Sequence, residues 1–204
     1  MKKIILFLIL TLAFVSCSSL ENNSYSDSTN SSTDSGILKE WTASGSTLTF
    51  HSSENKNSGE TFKVYGKTIE EPIKSQSLEI IKTKGSLTSG YGIVFGLKDD
   101  KNFYSLLINS NGQFTVKKTI KGKSSILVDW TKSSNLKKGL GSANKLGFTY
   151  SENTKMFSIY INGKKQSTFV DYTFLTGKRG VIVEVGENES TDNLPVEITY
   201  KKLQ

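Results

Sequence analysis

The chain has 204 residues, 26 basic and 19 acidic side chains, and a formal net charge of +7. Its hydrophobic content of 35% lies below the globular average, and part of that deficit is concentrated in one polar segment. A single cysteine, Cys17, and a single histidine, His51, exclude an intramolecular disulfide and a Cys₄ or Cys₂His₂ zinc site. His51 stands alone near a strand end and reads as a surface residue.

At the N-terminus, Lys2 and Lys3 precede the apolar run IILFLILTLAFV, Ile4 to Val15. This run is shorter than the about 20 residues a spanning helix needs. A basic start followed by a short apolar run reads as a secretory signal peptide over residues 1–16. Phe14, Val15 and Ser16 then lead into Cys17, which resembles the lipobox of bacterial lipoproteins, with Phe14 where Leu is usual. That resemblance implies a diacylated Cys17 and cleavage just before it. Two acyl chains make a stable membrane anchor where one is marginal. Ser18, in place of an inner-membrane-retaining Asp, favours the outer membrane or cell surface of a bacterial envelope.

Residues 17–36 hold the anchor cysteine and a stretch rich in Ser, Asn, Thr and Asp. Such a segment buries too little apolar surface to offset its ordering entropy. It reads as a flexible tether with an r.m.s. reach of about 25 Å.

From residue 37 to 204 the chain is one domain. Short alternating runs rich in Val, Ile, Phe, Tyr and Thr are punctuated by Gly and Asn, and no helical period is sustained. Strands are expected at 47–50, 61–65, 77–83, 91–97, 103–109, 113–120 and 125–130. Others are expected at 145–150, 156–161, 165–170, 180–185 and 195–203. This spacing predicts an all-β, antiparallel sandwich of two sheets. Asn111-Gly112 and Asn162-Gly163 are read as tight hairpin turns. Alternation puts Tyr91, Ile93, Phe95 and Leu97 on one face of their strand and Phe157, Ile159 and Ile161 on one face of theirs. Val181, Val183 and Val185 oppose Ile182 and Glu184 in the same way.

An ordered series of short signatures runs through residues 60–204. It comprises GYGIVF (Gly90 to Phe95), DDKNFY (Asp99 to Tyr104), Asn111-Gly112 and Asp129-Trp130, then Asn144 to Leu146, Ile159 to Gly163 and Gly177 to Val181. This series resembles the concanavalin A-like jelly-roll domains of the laminin-G-like type, including the 3-keto-disaccharide hydrolase domains. The resemblance implies a jelly-roll sandwich that binds sugars on a concave sheet or at one rim. The family's closing Phe-Asp-Asn-Phe strand is replaced here by EITYKKLQ, which keeps the alternation and drops the Asp-Asn pair.

Catalytic chemistry finds little support. Glycoside hydrolysis needs two facing carboxylates, and no strand carries a Glu-x-Asp-x-Glu pattern. The carboxylates to place are Glu79, Asp129 and Glu184. No Ser/His/Asp set, P-loop or dinucleotide fingerprint is present. The expectation is a non-catalytic binding module for an extracellular glycan or matrix component. The other readings are an envelope protein that docks a protein partner, and a glycoside-acting enzyme.

Aromatic faces stack on sugar rings, which makes Tyr91, Tyr104, Trp130 and Tyr160 the candidate ligand-binding residues. Core packing is the competing role for each. No cofactor or metal site is expected beyond the lipid on Cys17, although Lys98 to Asn102 could supply a fragment of a calcium site. Residues 37–204 carry 24 basic and 16 acidic side chains, and Arg179 is the lone arginine. This surplus suits solubility or an anionic partner. Scattered charge and export argue against nucleic acid, and the expected partners are the membrane, through the anchor, and a glycan or envelope protein.

Overall fold

A computed structural model describes residues 40–51, 59–64, 71–185 and 195–203, with side chains for 44–49, 71–184 and 195–203. The leader, Cys17 and the 17–36 segment lie outside that set, as do the side chains of Trp41 and His51. Among the described residues there are fourteen strands and no helix.

The first sheet runs β1 (Glu40–Ser44), β2 (Thr47–His51), β14 (Val196–Lys202), β5 (Ser75–Lys84), β10 (Asn144–Ser151), β11 (Met156–Ile161) and β12 (Lys164–Val170). The second runs β3 (Gly59–Val64), β13 (Thr176–Val185), β6 (Tyr91–Asp99), β7 (Asn102–Ile108), β8 (Gln113–Ile120) and β9 (Lys123–Lys132). A two-residue β4 (Glu71–Pro72) pairs with the start of β13. Every pairing is antiparallel. The two strands absent from the sequence expectation, β1 and β4, carry little apolar alternation of their own. Their pairing with β2 and β13 defines them.

Period-two alternation builds the core. Leu78, Ile80, Leu146, Phe148, Phe157 and Ile159 point inward from the first sheet, and Ile93, Phe95, Leu106, Val181 and Val183 from the second. The Phe95 ring lies 4.2 Å from Phe148, directly joining the two sheets, and 5.1 Å from Tyr104. Truncating such a ring to Ala costs about 3–5 kcal/mol in a packed interior.

Leu97 departs from the expected face. Gly96 adopts φ +58° in a bulge that breaks the register of β6 with β7 and β13. The extra residue turns Leu97 outward, where it packs with Val94.

The two Asn-Gly turns also differ. Asn162 and Gly163 both have positive φ (49° and 79°), as a two-residue hairpin turn requires. At the other hairpin only Gly112 is positive (87°). Asn109 Oδ1 there accepts from the backbone N–H groups of Asn111 and Gln113, which opens the turn into a four-residue loop. The unforeseen Lys121-Gly122 pair forms the positive-φ turn between β8 and β9. Asn162 does more than turn the chain: its amide donates to Asn135 O and to Asn144 Oδ1, tying the loop after β9 to β10.

Inward rows end in lysines at both ends of the core. Lys82 continues the row of Leu78 and Ile80, is fully buried, and donates to Ser86 O and Ser89 O. Its ammonium sits 5.5 Å from the centre of the Tyr91 ring. At the opposite end, Lys118 continues the row of Phe114 and Val116 and meets Asp171 at 2.5 Å. The Tyr104 hydroxyl donates to the other Asp171 oxygen, and Thr173 N–H donates to it at 2.8 Å. Phe174 N–H in turn donates to the Tyr104 hydroxyl at 3.2 Å.

Burial alone would raise the Asp171 pKa. The bonds from Lys118, Tyr104 and Thr173 outweigh it and bring the carboxyl down to about 2. A carboxyl whose pKa is lowered by folding contributes stability above its unfolded pKa and loses it as pH falls through the folded value. From the ordinary 3.8 to about 2, this contribution is about 2 kcal/mol. Urea unfolding across pH should show it complete above about pH 5 and lost between about pH 4 and 2. Asp171→Asn should cost about 3 kcal/mol at pH 7, because Lys118 is left buried without its partner, and should flatten that acid limb.

Candidate functional site

The outward faces of the two sheets differ. On the second sheet, Val94, Leu97, Phe103, Leu107 and Ile182 form an apolar cluster against which Trp130 packs. Ser105 and Thr115 on this face are also fully buried. Across the face runs an ion pair between Lys117 on β8 and Glu184 on β13, at 2.5 Å. Two strands, β7 and β6, lie between them. Register aligns Lys117 with Gly180, four residues before Glu184, so the interval is about 14 Å across the strands and about 13 Å along them, about 19 Å on a flat sheet. Both side chains therefore lie flat along a face that curves toward them. Gly90 sits beneath the pair, where a Cβ would stand 2.8 Å from Glu184 Oε2. The pair is a strap over the concave side of the second sheet, and its side chains are only 15% and 26% exposed.

The outward face of the first sheet is open. Register places Ser77, Gly147 and Tyr160 side by side on β5, β10 and β11, and Leu203 N–H extends the row by donating to Ser77 O. Two small residues between two large ones make a trough. Tyr160 walls one side and Leu203 the other, about 14 Å apart by strand spacing. Its volume is about 400 Å³, and Ser75, Gln76 and Thr149 add polar groups along it. A Cβ on Gly147 would approach Gln76 O to 3.0 Å, so the floor is kept low by a residue with little room to grow. Arg179 closes one end. Its Nη1 donates to Ser75 O at 3.2 Å and its Nη2 to Pro72 O at 3.1 Å. Lys202 also lines the cavity. Hydroxyls, an amide, a ring and two cations around an open trough of this size suit a polar ring-shaped ligand.

The four aromatic candidates separate cleanly. Tyr91 and Tyr104 are 1% and 0% exposed and belong to the core, so their rings are closed to a ligand and serve packing. Burial, and for Tyr104 the Asp171 bond, raises both hydroxyl pKa values. Trp130 lies on the second sheet's outer face beside the strapped cluster, and Tyr160 lies in the trough. Alternation could not separate them, because an aromatic fits either face of a strand. Ser75, Ser77, Gly147 and Arg179 were missed altogether. The signal for Ser77 and Gly147 is a row of small residues that appears only once β5 and β10 are in register, and Arg179 reaches Ser75 from β13 of the other sheet.

The three carboxylates do not meet. Glu79 faces outward on the first sheet, in register with Lys145 and Lys201. Glu184 faces outward on the second, held by Lys117. Asp129 is exposed on β9 and accepts from Trp130 N–H. Glu79 and Glu184 are separated by the whole sandwich, while two carboxylates acting on one glycosidic bond stand about 5–9 Å apart. Among the described residues no three Asp, Glu, His or Cys side chains gather as a metal site. Within the Lys98 to Asn102 stretch, Asp99 accepts from Lys101 N–H and the Asn102 amide, which closes the β6–β7 turn.

No protein-family model and no curated protein matches the chain. Among solved structures it is similar to the carbohydrate-binding module CBM66 from Bacillus subtilis, with 15% identity over 80% of this chain and 89% of that one and a TM-score of 0.59. It is also similar to a functionally unknown protein from Saccharomyces cerevisiae, with 14% identity over 81% and 90% and a TM-score of 0.52. A native glycosidic hydrolase gives 12% identity over 79% and 78% and a TM-score of 0.50. At these identities the likeness shows the fold, a concanavalin A-like jelly-roll sandwich.

The strap makes a checkable claim. A double-mutant cycle on Lys117→Met and Glu184→Gln, read by urea unfolding, should give a coupling of about 1–2 kcal/mol. A coupling under about 0.3 kcal/mol would place the pair with ordinary surface ion pairs.

Proposed function

We propose that this protein is a non-catalytic glycan-binding jelly-roll module held on a bacterial envelope by a lipid on Cys17. The observation that carries the binding reading is the open trough on the first sheet, with Tyr160 as its aromatic wall. A sugar ring laid against Tyr160 would turn an apolar face to the phenol and its hydroxyls to Ser75, Ser77 and Thr149. Ring stacking with polar groups at the edges is the usual division between affinity and orientation in such sites. The fold shared with a carbohydrate-binding module supports the same reading. The separation of Glu79 from Glu184 supports binding without hydrolysis.

Attachment rests on the leader. The basic start, the apolar run and the residues before Cys17 support lipidation, and the polar 17–36 segment supports a leash that lets the domain reach outward. The site of action proposed is the outer membrane or cell surface.

On a glycan array, the detergent-solubilised full chain should be retained by at least one saccharide class, and Tyr160→Ala should weaken that retention about tenfold or more. Absence of retention across neutral and acidic glycans would overturn the binding reading. Palmitate labelling in bacteria should disappear in Cys17→Ser, and a label that persists would overturn the anchor.

A further inference from the structure

We infer that the trough selects anionic sugars, carrying carboxylate or sulfate groups, over neutral ones. The inference rests on the glycan-binding reading and gives that site its substrate class.

The lining of the trough is one-sided in charge. Among the described residues, Arg179 and Lys202 contribute to it and no Asp or Glu does. Arg179 is already held in place by two backbone carbonyls, so little freedom is lost when its guanidinium meets an anion. Among the described residues its acidic neighbour is Glu71, which stands 3.6 Å away and is 44% exposed, so that contact is largely screened.

The surrounding face keeps the same sign. Lys165 is the register partner of Tyr160 and is exposed. The nearest outward carboxylate in the next row, Glu79, is flanked in register by Lys145 and Lys201. A concavity rimmed by cations concentrates positive potential at its floor and draws in anions. A bilayer surface also carries anionic headgroups. A flat surface cannot reach a floor made by Ser77 and Gly147 between Tyr160 and Leu203, and a single sugar ring can.

The test uses the detergent-solubilised full chain in affinity electrophoresis with two matched pairs: polygalacturonate against its methyl ester, and dextran sulfate against dextran. Within each pair the backbone is the same and only the charge differs. At least one anionic member should retain the chain about tenfold more tightly than its neutral partner. That preference should shrink as salt rises from about 50 to 500 mM. Lys202→Gln should reduce the preference several-fold, and Tyr160→Ala should weaken both members of the pair.

Equal retention within both pairs would overturn the charge selection and leave glycan binding standing. No retention by any of the four, together with no retention by any glycan on the array, would overturn the glycan reading itself. A preference insensitive to Lys202→Gln but abolished by Lys117→Gln would move the anion site to the second sheet and overturn the assignment to the trough. Competition by glycerol phosphate as effective, charge for charge, as by galacturonate oligomers would assign the site to a headgroup anion and overturn the inference for sugars.

Discussion

The sandwich hangs on one carboxylate. Asp171 lies where the chain leaves β12 in the first sheet to enter β13 in the second. It collects Lys118 and Tyr104 from two strands of the second sheet, together with the backbone of Thr173. Through Tyr104 the same knot reaches the stacked rings of Phe95 and Phe148 that join the layers. A crossover loop held only by apolar contacts could slide along the sheet end. A charge that must keep three partners cannot, since losing any one leaves a buried group unsatisfied. β13 begins five residues after this knot and carries Arg179, which closes one end of the trough.

The end of the core near Tyr91 is also finished by a buried lysine. Lys82 ends an inward row and satisfies its ammonium on two loop carbonyls under the Tyr91 ring. These carbonyls belong to a loop, residues 85–90, instead of a strand crossover. Both lysines use their long apolar stems as core material and bring only the charge to the boundary.

What distinguishes the two outer faces is the size of the residues in one row. On the second sheet, Gly90 and the small outward residues leave space that the Lys117 and Glu184 side chains fill by lying across it, and the concave face is shut. On the first sheet, Ser77 and Gly147 leave similar space, but their row neighbours are a tyrosine and a leucine, which stand up as walls. The same vacancy is thereby a closed seam on one side and an open trough on the other.

The sequence by itself determined the class of fold, since period-two alternation with Gly and Asn between runs permits little else than paired sheets. Alternation also gave the shared faces of β11 and β13, and of β6 as far as Phe95, because burial enforces it strand by strand. The proposed leader and anchor role of Cys17 likewise rest on local order alone. Only the tertiary structure decided which aromatic belongs to the core. Tyr91, Tyr104 and Tyr160 sit in strands of similar pattern, and the difference lies in what packs over each ring. It also decided the bulge at Gly96 that turns Leu97 outward, and the partners of Asp171, Glu184 and Lys82. The trough is the clearest case. Ser77, Gly147 and Tyr160 are scattered along more than 80 residues of chain and become neighbours only through hydrogen-bond register, a property of paired strands that no single strand encodes.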